Sequence, residues 1–182
     1  MPSIDINILL SLKDNYKNYS CFIETGTLEG QSIKNMEPYF DTLYTIEISE
    51  KYFQLAKQNY FGNKINFLLG DSTYVLPDLV KKIKSPTIFF LDGHYSSGNT
   101  GRGEKDVPLL EELQSINDLF TMEAIIIIDD VRLFGKISPE DFTLITIENI
   151  RNILNKRTTL EYFLNSELAQ NDRMVVHLSK LP

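Results

Sequence analysis

The feature that most constrains the fold is a regular alternation of apolar runs with segments of helical periodicity. Five apolar or β-rich runs predict strands. The first begins at Cys21, and the other four cover 42–48, 65–69, 87–91 and 124–128. Segments typical of helices lie between these runs, at 32–40, 51–60, 73–83 and 109–120. Strands that alternate with helices predict a parallel sheet with helices on both faces. The sequence therefore predicts an α/β domain with a parallel five-stranded core.

The C-terminal part of the chain adds further elements to this core. Ser138 and Pro139 predict the start of a helix that extends to about Leu154. Residues 160–164 and 174–178 predict two strands around a polar turn, which indicates a C-terminal antiparallel hairpin.

The N-terminal residues 1–20 predict a helical extension, because Ile8, Leu9 and Leu12 have helical spacing. We expect this extension to pack on the sheet edge or on a second copy of the chain, which would make a homodimer. A length of 182 residues suits one full core, so we expect a single domain over residues 1–182.

Charge and composition limit the classes of partner. The net charge is −7 and the sequence pI is near 4.9, and such an acidic surface repels the phosphates of nucleic acid. Cys21 is the only cysteine, which suits a reducing compartment. Neither a signal peptide at Met1–Leu12 nor an apolar run of membrane-spanning length is evident. We expect a soluble cytoplasmic protein that binds neither nucleic acid nor membrane.

A loop with two glycines follows the first predicted strand, in the sequence CFIETGTLEGQS at 21–32. Glycine lets the backbone approach a ligand closely, so the loop has the features of a nucleotide-binding first turn. The dinucleotide fingerprint G-x-G-x-x-G requires glycine where this chain has Leu28, and pyrophosphate binding is therefore disfavoured. The alternative is a purely structural turn.

Each of the five predicted parallel strands ends in an acidic residue. Ligands of open α/β sheets bind outside the carboxyl ends of the strands, so these acids are expected to lie around one site. They are Glu24, Glu47, Asp71, Asp92 and the pair Asp129–Asp130. Some of them, Asp71 above all, have the alternative role of helix N-caps.

Two roles can be separated among these acids. Glu47, at the end of the second strand, suits hydrogen bonds to a ribose diol, although a solvated loop position is the alternative. Asp92, Asp129 and Asp130 lack an obvious basic partner and would repel one another, so a divalent cation such as Mg²⁺ is expected between them. The alternative is that one of Asp129 and Asp130 turns to solvent.

The strand ends carry a resemblance to a known family. Glu24 followed by Gly26 and Gly30 resembles motif I of class I S-adenosylmethionine (SAM)-dependent methyltransferases. The segments 90–95 (FLDGHY) and 128–131 (IDDV) resemble the metal-binding strand ends of the cation-dependent O-methyltransferases, in the catechol and caffeoyl-CoA group and the macrolide sugar group. The resemblance covers nearly the whole chain from Cys21 onward. It departs from the catechol enzymes in the glycine-rich loop at 96–103, and the chain lacks an evident substrate-capping insertion.

The resemblance implies a single Rossmann-like methyltransferase domain that binds SAM and holds Mg²⁺ with Asp92, Asp129 and Asp130. The residues expected to bind the cofactor follow the ends of the first four strands. They are Glu24, Thr25, Gly26, Thr27, Gly30, Ser32, Glu47, Ile48, Asp71, Ser72 and Asp92.

The implied reaction is an in-line transfer of methyl from the sulfonium of SAM to an oxygen of a small acceptor, a sugar or a phenol. Asp92 and His94 are the expected catalytic residues, with His94 as the general base because its ordinary pKa suits proton removal at neutral pH. A structural hydrogen bond is the alternative for His94, and His177 is expected to be structural. Arg102, Lys105 and Arg132 either hold an anionic group of the acceptor or balance the nearby acids.

Two other functions are compatible with the sequence. One is a non-catalytic nucleoside-binding domain in which the acids only cap helices. The other is a metal-dependent sugar-modifying enzyme of different chemistry, for instance a hydroxylase-like one.

Overall fold

The computed structural model describes residues 3–96, 100–137 and 140–181, and a single sheet of seven strands organises them. The strands are β1 (Cys21–Thr25), β2 (Thr42–Glu47), β3 (Ile65–Leu69), β4 (Thr87–Leu91), β5 (Ala124–Ile128), β6 (Thr158–Leu164) and β7 (Arg173–Leu178). Their order is β3-β2-β1-β4-β5-β7-β6, with β1 to β5 parallel and β7 antiparallel to both of its neighbours. The predicted parallel core and C-terminal antiparallel hairpin are confirmed.

Six α-helices lie around this sheet in the described residues. They are α1 (Ile6–Ser11), α2 (Gln31–Met36), α3 (Glu50–Gln58), α4 (Ser72–Val80), α5 (Leu109–Leu119) and α6 (Ile147–Leu154). None of these helices is long and apolar enough to span a membrane. Short 3₁₀ turns lie before β1 at Tyr16–Asn18, after α2 at Glu37–Tyr39 and after β5 at Val131–Leu133.

The helix predicted from Ser138 to Leu154 is wrong over its described first part. Ser138 and Pro139 lie outside the described residues, and 140–146 is not helical. The backbone N–H of Gly135 donates to the carbonyls of Phe142 and Ile145, which folds this segment back on itself. Helix α6 starts only at Ile147, where the Thr146 hydroxyl caps it by accepting from Asn149 N at 3.1 Å.

The core has two layers, because successive side chains of a buried strand point to opposite faces of the sheet. In β4, Phe89 belongs to the layer under α4, α5 and α6, whereas Ile88 and Phe90 belong to the layer under α1 and α2. Helices therefore cover both faces, as predicted from the continuous apolar strands.

The N-terminal extension is part of this second layer. Ile4, Leu9 and Leu12 are buried against Phe22 and Ile33 of the same chain. These three side chains thus pack against the sheet of their own chain.

Cys21 begins β1 and is buried at 2% exposure. Burial raises the pKa of its thiol to about 11, and the neighbouring Thr87 hydroxyl offsets only part of this rise. The side chain acts as a small apolar group of the core, which agrees with its position in an apolar run.

Candidate functional site

The carboxyl ends of the parallel strands form one side of a cavity of about 350 Å³. The strand register brings these ends together: Thr25 pairs with Leu91, and Leu91 pairs with Ile128. The next residue of each strand, Gly26, Asp92 and Asp129, therefore lies in one row along the edge. Six of the predicted cofactor-binding residues line the cavity, namely Gly26, Glu47, Ile48, Asp71, Ser72 and Asp92.

The loop after β1 packs closely against the end of β4. Gly26 has a φ of +85°, and a Cβ at this position would lie 2.5 Å from the carbonyl oxygen of Asp92. No other residue fits this contact, because it combines positive φ with an approach of backbone to backbone. Leu28, which departs from the dinucleotide fingerprint, also adopts a positive φ of 48°.

Glu47 ends β2 with both carboxylate oxygens held by backbone. Its Oε2 accepts from Leu28 N and its Oε1 accepts from Ser49 N, each at 2.8 Å. The side chain is 6% exposed and lines the cavity, so its orientation is fixed before any ligand enters. This geometry excludes the freely solvated glutamate that was the alternative.

Asp71 both caps α4 and lines the cavity. Its Oδ1 accepts from Thr73 N at 2.9 Å, which is the N-cap role considered from the sequence. Gly101 and Gly103 lie against this region, because a Cβ on Gly103 would meet Asp71 Oδ2 and a Cβ on Gly101 would meet Ile48. These two glycines thus close the cavity on the side of β2 and β3.

The other predicted cofactor-binding residues lie behind the cavity wall or along the start of α2. Glu24 is 1% exposed and its Oε2 accepts from the Thr45 hydroxyl at 2.6 Å. Burial raises the pKa of Glu24 well above its usual range, and Thr45 offsets only part of that rise. The remaining members of this group are Thr25, Thr27, Gly30 and Ser32, and Ser32 Oγ accepts from Ile4 N at 3.3 Å.

His94 lies between two of the predicted acids. Its Nε2 is 2.7 Å from Asp130 Oδ2 and 3.7 Å from Asp92 Oδ1, and its Nδ1 is 3.0 Å from the carbonyl oxygen of Tyr95. Asp130 reaches the ring because its backbone adopts a left-handed φ of 65°, which Asp tolerates better than most residues. Both ring nitrogens thus face acceptors, which is the environment of an imidazolium ion.

The charges around His94 change its protonation. Burial alone would lower its pKa, but the hydrogen bond to Asp130 and the charge of Asp92 outweigh burial and raise the pKa to about 9. The pKa of Asp130 is lowered, because burial is outweighed by His94 and Arg132. The reason for expecting a neutral His94 at pH 7, its ordinary pKa, therefore does not apply in this structure.

An NMR titration of the ring signals measures this directly, since the chain has two histidines. In protein treated with a chelator, His94 is expected to titrate near pH 9. Asp130→Asn is expected to lower the midpoint towards the ordinary value of about 6.5, because it removes the nearest charge. His177 is the internal reference, as burial lowers its pKa and it lies away from this cluster. A wild-type His94 midpoint at the ordinary value would contradict the structure.

Asp129 has a basic partner that the sequence analysis missed. Arg173 Nε lies 3.2 Å from Asp129 Oδ1, and both side chains are 4% exposed. Arg132 likewise bonds to Asp130 and, at 2.6 Å, to Asp172 Oδ2. The premise that these acids lack basic partners therefore does not hold. A signal was present for Arg173, because the first residue of an antiparallel neighbour lies beside the end of β5.

The described residues contain two groups of side chains whose potential metal-ligand atoms all lie within 4.8 Å of one another inside the group. The groups are Asp92–His94–Asp130 and Asp129–Asp130–Asp172. The predicted metal ligands Asp92 and Asp130 are thus brought together, with His94 as the third member. Asp129 is directed to Arg173 instead. Burial and the charge of Asp129 raise the pKa of Asp92, and His94 offsets only part of this rise.

Glu112 on α5 is a further buried acid that the sequence analysis did not single out. It is 1% exposed, and neither its Oε1 nor the Thr25 hydroxyl has a hydrogen-bond partner among the described residues. Burial raises the pKa of Glu112 to about 7, and the nearby Ser72 and Thr25 hydroxyls offset part of the rise. Its position on an amphipathic helix next to a second glutamate gave no signal that distinguished it.

No protein-family model and no curated protein sequence matches the chain. Solved structures do match. The O-methyltransferase TomG from Streptomyces achromogenes, solved with SAM, has a TM-score of 0.65 at 17% identity, over 91% of this chain and 75% of that chain. A Bacillus cereus O-methyltransferase in complex with S-adenosylhomocysteine (SAH) has a TM-score of 0.62 at 17% identity, over 90% and 76% of the two chains. The N-methyltransferase NodS from Bradyrhizobium japonicum has a TM-score of 0.59 at 12% identity, over 97% and 94%. This chain therefore has the fold that these methyltransferases share.

Proposed function

We propose that this protein is a SAM-dependent O-methyltransferase that acts on a small hydroxylated acceptor, a sugar or a phenol. The observation that carries the proposal is a single cleft lined both by Glu47 at the end of β2 and by Asp92 and His94 beyond β4. The first suits a ribose diol, and the other two suit the handling of a hydroxyl proton. The shared fold with methyltransferases supports the choice of donor.

The residues of the cleft fit SAM. A volume of about 350 Å³ lies in the range of small-molecule sites. Each oxygen of Glu47 accepts one backbone N–H and keeps a second lone pair for a ribose hydroxyl. We assign the adenine to the side of Ile48, Asp71 and Ser72, and the methionine end to Gly26 and Asp92. Glu24, Thr25, Thr27, Gly30 and Ser32 would then act by shaping the loop.

A divalent cation such as Mg²⁺ is the second proposed cofactor. The carboxylates of Asp92 and Asp130 offer oxygen donors close enough for one ion, whereas His94, the third member of this group, keeps the role of base. Asp129 is less suited to bind the ion, because Arg173 and the Asp130 N–H already occupy its oxygens. When bound, the ion would orient the acceptor hydroxyl and lower its pKa.

In the proposed reaction, the acceptor oxygen attacks the methyl carbon, the C–S bond breaks, and SAH leaves with the electron pair on sulfur. The hydroxyl proton passes to Nε2 of His94. Because the pKa of His94 is raised to about 9, the neutral ring is the minor form at pH 7, and transfer is expected to speed up as the pH rises. Asp130 holds the ring in position and stabilises the imidazolium that forms.

Isothermal titration calorimetry tests the donor site without knowledge of the acceptor. Wild-type protein is expected to bind SAM, and Glu47→Ala is expected to weaken binding by about 100-fold or more, because two hydrogen bonds to a charged group are lost. Glu29→Ala is the matched control, since Glu29 is an exposed carboxylate of the same loop. Circular dichroism of each variant checks that the fold is retained.

The outcomes separate the proposed functions. Absence of SAM binding by the wild type would overturn the methyltransferase proposal. SAM binding without methyl transfer to any sugar or phenol, measured as SAH release with and without Mg²⁺, favours the non-catalytic nucleoside-binding domain. Divalent-ion binding without SAM binding favours a metal-dependent sugar-modifying enzyme of different chemistry.

A further inference from the structure

Part of the connection between β4 and α5 spans the cleft. Residues 100–106, here called the strap, lead towards the start of α5, and all of them except Arg102 line the cavity. On its far side the strap touches the residues that follow β2 and β3. The strap therefore lies over the part of the cleft to which the adenosine of the donor is assigned.

The strap is anchored at the side of α5. The backbone N–H of Tyr95 donates to the carbonyl oxygen of Asp106 at 2.8 Å, which joins the two ends of the loop. Arg102 Nε lies 2.6 Å from Asp106 Oδ1, and its guanidinium lies over the Tyr95 ring, 5.2 Å from the centroid. Lys105 bonds to Glu111 in the first turn of α5. All these contacts are local, because they join the loop to itself and to the helix that follows it.

The contacts on the far side of the cleft depend on two glycines. A Cβ on Gly101 would lie 3.3 Å from Ser49 Cβ and would overlap the Ile48 side chain. A Cβ on Gly103 would overlap the carboxylate of Asp71. Only residues without a side chain let the strap approach the ends of β2 and β3 this closely.

The strap is held more weakly across the cleft than at its anchored side. In the described part of the chain, no backbone hydrogen bond joins residues 101–106 to β2, β3 or α4. The Tyr74 hydroxyl of α4 donates to Glu104, but Tyr74 is 63% exposed, so water competes for this bond. Separation of the strap from the far side therefore breaks only van der Waals contacts and one exposed hydrogen bond, while the anchoring contacts remain.

We propose that the strap is a gate of the donor site, which opens to admit SAM and closes over its adenosine part. This inference rests on the proposed function, because it takes SAM as the ligand of the cleft. The closed strap retains the donor during methyl transfer, and its opening releases SAH. Opening and closing of such loops limits the turnover of many enzymes.

A reversible crosslink between the two sides of the cleft tests the gate. Ser49→Cys combined with Gly101→Cys places two thiols on Cβ atoms 3.3 Å apart, close to the separation of about 3.5–4.5 Å found in disulfides. The native Cys21 is buried at the start of β1. Oxidised and reduced forms of the same polypeptide are compared, which separates closure of the strap from the effects of the substitutions.

Uptake and release of tritium-labelled SAM are the measurements. The reduced variant is expected to exchange SAM at least as fast as the wild type, because a side chain at position 101 loosens the closed position. Oxidation before SAM is added is expected to slow uptake by about 100-fold or more, and oxidation after loading is expected to slow release by a similar factor. A reductant is expected to restore both rates. Ser49→Cys alone is the matched control, and its rates are expected to be the same before and after oxidation.

Tyr74→Phe is a second variant that needs no disulfide. It removes the hydrogen bond to Glu104 and keeps the ring, so release of SAM is expected to be about 3-fold faster than in the wild type. Equal exchange rates in the oxidised and reduced forms, no disulfide between the two new cysteines, or unchanged release from Tyr74→Phe would each overturn the gate and leave the donor site intact. Absence of SAM binding by the wild type would instead overturn the proposed function itself.

Discussion

Arg173→Met is expected to destabilise the fold by about 3–5 kcal/mol, because it leaves the Asp129 carboxylate buried without its charge partner. Asp129 and Arg173 are each 4% exposed, and two guanidinium nitrogens lie 3.2 and 3.4 Å from the two carboxylate oxygens. Once Arg173 is lost, the main remaining donor to Asp129 is the Asp130 N–H at 3.0 Å. Urea unfolding followed by circular dichroism at pH 7 measures the free energy of unfolding.

The design needs a control and a chelator. Arg151→Met is the matched control, because Arg151 pairs with Glu161 on the surface and is 59% exposed, so the expected loss is below about 1 kcal/mol. A chelator keeps adventitious divalent cations from replacing the lost charge beside Asp129. A second substitution, Asp129→Asn in the Arg173→Met background, is expected to recover part of the stability. Equal losses in the two arginine variants would show that Arg173 does not neutralise a buried charge.

Glu112→Gln is expected to become more stable relative to the wild type as the pH rises. The difference in free energy of unfolding is expected to shift in favour of the variant by about 3 kcal/mol between pH 4 and a pH above 7. The pKa of Glu112 is raised from about 4.5 in the unfolded chain to about 7 in the fold. The folded state therefore holds this proton more tightly than the unfolded state does. The stability that the protonated Glu112 carboxyl contributes is fully present below pH 4.5, is lost between the two pKa values, and is absent above about pH 7. Glutamine is neutral throughout and does not suffer this loss.

Urea unfolding of both proteins across this pH range isolates the effect, because all other titrating groups are common to them. Glu167→Gln serves as the control, since Glu167 is exposed in the turn between β6 and β7. Its stability is expected to follow the wild type at every pH. A constant difference between Glu112→Gln and wild type from pH 4 to pH 8 would mean that the pKa of Glu112 is the same in the folded and unfolded states, which would contradict the structure.

The strands of this protein were the most predictable elements from sequence. β3, β4 and β5 have the predicted boundaries, because each is a short run of apolar residues bounded by residues that break strands, such as Pro86 before β4 and Gly70 after β3. The edge at which the acids meet followed from the parallel topology, since carboxyl ends of parallel strands share one edge. Local sequence was sufficient in both cases.

Tertiary contacts decided the rest. Segment 140–146 has the pattern of a helix, but burial of Phe142 beside the His94 ring, with 5.3 Å between ring centroids, holds it in another conformation. The partner of Asp129 was missed because Arg173 lies 44 residues further on, and only the antiparallel register of β7 brings it close. Protonation of His94 depends on Asp130, and no local sequence pattern predicted the left-handed backbone of Asp130.

The buried thiol of Cys21 makes this chain a convenient background for site-specific labelling. Thiol reagents attack the thiolate, and a 2% exposed group with a pKa of about 11 supplies almost none at neutral pH. A cysteine introduced at an exposed position, such as Phe61→Cys, is then the one reactive thiol for a fluorophore or spin label. Such a label can be attached without first removing a native cysteine from the core.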